Sequence, residues 1–159
     1  MENLYHTDYY RWVKQQKEHL KNREFDRLDL DNLIEEVEDM GKSEPRTIKS
    51  HTTNLLLHLL KYDYQTRVIN PVLPEPYNCR DWLGSMDRAR SGVRDVLSEN
   101  PSLNQRAPDL LTESYPEAKR LAIKEMNRYV QPHQMLDESS YPAECPWSFE
   151  QIMKEDWLP

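Results

Sequence analysis

Three glycines in 159 residues are too few for a fold made of strands and tight turns. Sheet-rich domains place glycine wherever the backbone turns sharply, so this scarcity favours helices before any periodicity is considered. Cysteine is scarce too. Cys79 and Cys145 stand far apart and form no C-x-x-C pair, which argues against a disulfide framework and a cysteine-based metal centre. Both are expected as reduced thiols. No apolar run approaches the roughly 18 residues that span a bilayer. The opening Met1-Glu2-Asn3-Leu4-Tyr5 has neither the basic nor the apolar segment of a signal peptide. A cytoplasmic protein with no membrane partner is expected. Positive charge is in deficit, with 21 Lys and Arg against 28 Asp and Glu, a net charge of -7. Nucleic-acid affinity rests largely on cations that displace phosphate counterions, so this balance disfavours a nonspecific nucleic-acid binder.

What is present is helical periodicity over a lean apolar content of 37%. Thr7 or Asp8 can cap a first helix reaching about Asn22, with Tyr5, Tyr9, Trp12, Val13 and Leu20 as its core stripe. Asp29 suits the cap of a second helix, Leu28 and Leu33 its hydrophobic staple, and Leu30, Leu33, Ile34, Val37 and Met40 its buried face. Gly41 is a helix-stop signal. Ser43 or Glu44, with Pro45 in the first turn, is a start signal for a third helix. Ile48, Thr52, Leu55, Leu56, Leu59 and Leu60 then form one broad apolar face. A single long helix, kinked at Gly41 and Pro45, is the alternative.

Residues 66–77, with Pro71, Pro74 and Pro76, read as an ordered loop. Asn78 can cap a fourth helix, with Tyr77 and Trp82 as its staple and Met86, Ala89, Val93, Val96 and Leu97 inward. Asn100-Pro101 ends it. A helical pattern from Pro101 to Tyr129 carries Tyr115, Ala118, Leu121, Ala122 and Met126 inward, and Pro116 predicts a kink or two shorter helices. Ser148 can cap a last short helix. The whole reads as one all-α domain over residues 1–159: five or six helices around an antiparallel hairpin of residues 29–41 and 44–64, with the tail 130–159 packed on the bundle.

Such a hairpin would bring Glu36 near His51 and Asp29 near His58. Carboxylates and imidazoles across two helices are the ingredients of a divalent metal site, here Glu36, His51 and His58, or of ordinary register-setting hydrogen bonds. No cofactor is otherwise expected. His58, Lys61 and Gln65 share one helix edge. The acidic run Glu35-Glu36-x-Glu38-Asp39 is similar to the magnesium-holding helices of all-helical nucleotide pyrophosphatases, but the second acidic motif is missing. Arg46 and His51 match the R-x4-H spacing of the HEPN ribonucleases, in which the arginine clamps the scissile phosphate and the histidine moves a proton. Gly41-Lys42-Ser43 is not a P-loop, because Glu36 stands where the first glycine is needed and a helix precedes it.

Longer blocks point elsewhere. Leu4-Tyr5 with Asp8-Tyr9-Tyr10-x-Trp12, Phe25-Asp26-x-Leu28-Asp29, Asn32 through Glu44, Leu55 through Tyr62, Pro101-Ser102-Leu103, Tyr115 with Ala118, and Cys145-Pro146-Trp147 together resemble the bacterial domain-of-unknown-function 29 family. The resemblance spans nearly the whole chain. It implies an all-helical bacterial domain and brings no settled activity. Its strongest blocks fall on Asn32, Glu35, Glu36, Met40, Gly41, Ser43, His58 and Lys61, and His51 lies outside them.

Two function classes follow. The first is a non-enzymatic interaction or regulatory module whose partner is another protein or a second copy, with Asn32, Glu35, Glu36, His58 and Lys61 as candidate binding residues. The second is a nuclease or nucleotide hydrolase of toxin–antitoxin or defence type, using Arg46, His51, His58 and Lys61. An interaction protein should expose an apolar patch, whereas an enzyme should bring Glu36, His58 and Lys61 into one pocket.

Overall fold

The computed structural model describes residues 3–69 and 79–159, with Cys79 and Arg80 described by backbone alone. The expected loop after residue 69 and the caps at Tyr77 and Asn78 lie outside the described residues. The architecture is all-α, as the glycine count predicts. Its helices are α1 (Leu4–Thr7), α2 (Tyr9–Lys21), α3 (Leu30–Tyr64), α4 (Cys79–Glu99), α5 (Ala107–Met126) and α6 (Phe149–Met153). Short 3-10 turns lie at Phe25–Arg27, Pro101–Arg106, Pro132–Gln134 and Glu138–Ser140, and a π-helical turn at Gln65–Ile69 prolongs α3 into the expected loop. Among the described residues no helix is long and apolar enough to cross a membrane.

The expected hairpin about Gly41 is not formed: α3 is one helix of 35 residues with Pro45 inside it. The stop and start signals are real but local. Glycine costs a helix interior about 1 kcal/mol and proline about 3 kcal/mol, and both costs fall where they are smallest. Gly41 is exposed, so the carbonyl that Pro45 leaves without an amide partner sits at an exposed position. Pro116 is tolerated in the same way: it stands on the exposed side of α5, which runs on without a break.

Contacts along the chain fall into two compact units, Met1–Ser43 and Glu44–Pro159. In the first, α2 lies antiparallel to the start of α3, and its side chains meet α3 in reversed order, Gln16 at Asp29 and then Tyr9 at Glu36. Asp8 caps α2 by accepting the Arg11 amide at 3.1 Å. Only Trp12 and Gln16 are buried among the described residues of this unit. The stripes expected as core are therefore largely uncovered. Tyr9, Val13 and Leu20 on α2 and Leu30, Ile34, Val37 and Met40 on α3 are exposed, while Tyr5 and Leu33 are half-buried.

The second unit holds the core. Ile48, Thr52, Leu55, Leu56, Leu59 and Leu60 of α3 are all at most 1% exposed; the leucines cluster with Met86 and Ala89 of α4 and Tyr115, Ala118, Ala122 and Met126 of α5, and Ile48 with Val93 of α4 and Leu110 of α5. The tail contributes to this core. Leu136, Tyr141 and Ile152 are buried in it, and the Tyr141 hydroxyl donates to the Leu60 carbonyl at 2.9 Å. Ser148 caps α6 in a reciprocal capping box with Gln151.

Candidate functional site

Three places gather the residues that the sequence singles out. The first is the polar seam between α2 and α3. Glu36 accepts the hydroxyls of Tyr5 and Tyr9, each at 2.7 Å. Asp29 accepts the Asn32 amide at 2.7 Å and the Trp12 indole at 3.0 Å, and its own backbone amide donates to Gln16 at 2.8 Å. Trp12 packs edge-on against Tyr5 at 4.8 Å and stacks on Tyr9 at 5.8 Å. The electrostatics follow the bonds. The tyrosine hydroxyls hold Glu36 below the usual carboxylate range, and the Asn32 amide and Trp12 indole do the same for Asp29. In return, the Glu36 carboxylate pushes Tyr5 up to about 12. Glu36 is thus engaged by the tyrosines of α1 and α2, and Asn32 braces Asp29 at the start of its own helix, whereas Glu35, beside Glu36 in the acidic run, is exposed.

The second place is a cleft of about 520 Å³ lined by Lys61, Trp82, Glu125, Tyr129 and Gln131, among others. Lys61 is buried. Its ammonium donates to Glu125 at 2.7 Å and lies 4.9 Å from the centre of the Trp82 ring. One turn earlier on α3, half-buried His58 has a buried Nδ1 with no hydrogen-bond partner among the described residues. Burial, with the nearby Lys61 ammonium, lowers the His58 pKa to about 4, against the opposing pull of Glu125. His58 is therefore a neutral imidazole at physiological pH, and it is not among the residues lining the cleft.

The third place is a shallow groove of about 580 Å³ lined by Arg46, Lys49, His51, Asn54 and Glu117, among others. Arg46 and His51 both line it, although five positions set them about 140° apart round the helix. Lys49 pairs with Glu113 at 3.5 Å. His51 has a packing role as well: a Cβ built on Gly92 of α4 would stand 2.7 Å from its ring, so α3 and α4 approach closely only because position 92 is glycine.

The structure therefore separates the residues that a hairpin would have joined. Glu36 and His51 stand fifteen positions apart on one helix, with His58 seven further on. Among the described residues no three His, Cys, Asp or Glu side chains form a metal-holding group.

Sequence reasoning missed Arg90. Its guanidinium is 2% exposed and donates to the carbonyls of Ile152 at 2.7 Å and Trp157 at 2.6 Å, while Arg94 reaches Met153 at 3.1 Å. Together they satisfy carbonyls at and beyond the end of α6. The signal was available, because Arg90 is four residues after Met86 and three before Val93, on the buried stripe of α4.

The family model for DUF29, a domain of unknown function, matches residues 4–158. The chain belongs to this family. The match takes in nearly the whole polypeptide, both compact units included. No curated protein and no solved structure matches. Within this DUF29 chain, the family blocks named above have two structural destinations. Tyr5, Tyr9, Trp12, Asp29, Asn32 and Glu36 form the first polar seam, and Lys61 forms the buried pair with Glu125.

Proposed function

We propose that this DUF29 protein is a non-enzymatic interaction module that engages another protein chain through the first unit. One observation supports this reading above the others. Nine of the thirteen large hydrophobic side chains exposed among the described residues lie between Tyr9 and Met40, although that unit is much the smaller of the two. Ile34 at 58%, Val37 at 65% and Met40 at 71% exposure stand in one stripe of α3. Soluble monomers rarely leave such a stripe contiguous and open, because each side chain gains about 1.5–3 kcal/mol when fully buried. Opposite chemistry prevails at the other candidate residues: Glu36 and Lys61 are already engaged, and His58 is neutral. A photo-crosslinking residue at Val37, introduced into the full chain in its native cells, should give discrete protein adducts. The same residue at exposed Asp109 on α5 should not. Absence of adducts at Val37 would overturn the reading.

A second reading is supported by Arg46 and His51 lining the same groove beside Lys49 and Asn54. Those side chains suit a phosphodiester, with Arg46 as charge clamp and His51 as proton carrier. RNA cleavage by purified protein, lost in Arg46→Gln and His51→Gln variants that keep their helical signal, is the expected outcome. Cleavage that persists in both would remove it.

A further inference from the structure

The interaction reading leaves the partner open, and the first unit itself narrows it. We infer that the occupant of its apolar face is the same face of a second copy, so that two α2–α3 hairpins pair into a four-helix bundle. This rests on the interaction reading and names its partner.

At roughly 100° per residue, Val13 and Leu20 of α2 lie about 60° round from the line of Trp12 and Gln16, which face α3. On α3, the stripe of Leu30, Ile34, Val37 and Met40 is centred about 110° round from the line of Asp29, Asn32 and Glu36, in the same rotational sense. In an antiparallel pair, equal senses of rotation place both stripes on one side. The hairpin therefore presents a single two-helix apolar face, the kind of face that four-helix bundles bury at their centre.

Size makes the same demand. A unit of 43 residues is below the length at which one chain readily encloses a core of its own, and this one buries only Trp12 and Gln16 among its described residues. Pairing two such units completes a core that neither has.

Charge then selects a second copy over an unrelated chain. The outer border of the α2 stripe carries Lys14, Lys17 and Lys21, while that of the α3 stripe carries Asp31, Glu35 and Glu38. A two-fold axis parallel to the helices sets α2 of each copy against α3 of the other, basic border on acidic border, twice. The same axis keeps equivalent residues level. Because α2 and α3 meet with Gln16 at Asp29 and Tyr9 at Glu36, Lys14 of one copy comes level with the first turn of α3 in the other, the turn that carries Asp31.

Sedimentation equilibrium of the full chain tests this. Wild type should be a dimer at micromolar concentration, and Ile34→Asp should raise the dissociation constant at least about tenfold. Lys14→Glu and Asp31→Lys should each weaken the homodimer by like-charge contact. An equimolar mixture of those two variants should restore a dimer, now mixed, because each then meets its opposite charge. These two substitutions are on the surface, so the test stands even if Ile34→Asp fails to fold. A wild-type chain that stays monomeric at about 200 μM, or single reversals that mixing does not repair, would overturn the inference. A monomer that still gives adducts to other proteins at Val37 would keep the interaction reading and reject the second copy. A monomer with no adducts would reject both.

Discussion

His58 shows how an unremarkable position acquires a pH dependence. Its pKa lies at about 4 in the folded chain, against an ordinary value near 6.5, because burial and Lys61 disfavour the cation. Between these values the unfolded chain binds a proton that the folded chain refuses. The contribution of His58 to stability is therefore fully present above about pH 6.5 and is lost as the pH falls towards 4. Urea midpoints should drop across that interval, and the drop should be shallower in His58→Gln; equal slopes in both proteins would contradict the assignment. At Gly92 the expected effect is steric. Gly92→Ala places a methyl group 2.7 Å from the His51 ring, and such overpacking costs about 1–3 kcal/mol. Adding His51→Ala should recover most of that loss in urea denaturation, a coupling that two independent sites would not show.

At the scale of the element, most of the helical pattern was legible. The stripes of α4 and α5 and the second half of α3 were read correctly because an apolar repeat near 3.6 residues has one structural meaning when a neighbour covers it. Two readings failed for different reasons. Gly41 and Pro45 signal a break through local backbone cost, which an exposed stretch of helix absorbs. The repeat from Leu30 to Met40 defines a face but says nothing about what lies over it. Arg90 was overlooked because a lone charge in an apolar stripe is easily read as surface. Its partners are main-chain carbonyls of the tail, which no side-chain pattern announces. Arg90→Met removes both bonds and leaves buried acceptors unmet, at about 1–3 kcal/mol each. Amide exchange in residues 149–158 should rise well above wild type while the α5 amides stay protected. Unchanged exchange in the tail would refute this role for Arg90.

Across the whole molecule the two units differ in what sustains them. The second owes its stability to two apolar clusters, the first to a polar seam of tyrosines, Trp12, Asp29 and Glu36. One helix belongs to both, so α3 offers an internal comparison. Amides at positions 30–43 should exchange faster than those at 50–62, although both stretches are helical, because local opening is governed by buried contacts. Raising the protein concentration should slow only the first stretch if the unit pairs with a second copy. Uniform protection along α3 would show that the two units open together. The candidate site was less legible than the fold for a related reason. Glu36 stands out within an acidic run and Lys61 at the end of an apolar one, and a structural seam and a binding site share such signatures until their partners are seen.

Ile152 is fully buried against α3, α4 and α5, and Tyr141 is bonded to the carbonyl of Leu60. During synthesis, then, the leucines at positions 55–60 leave the ribosome long before the residues that seal them. For that interval they form an adhesive surface on a nascent chain, which chaperones would be expected to shield, while the hairpin ahead of them is already complete in sequence and free to form.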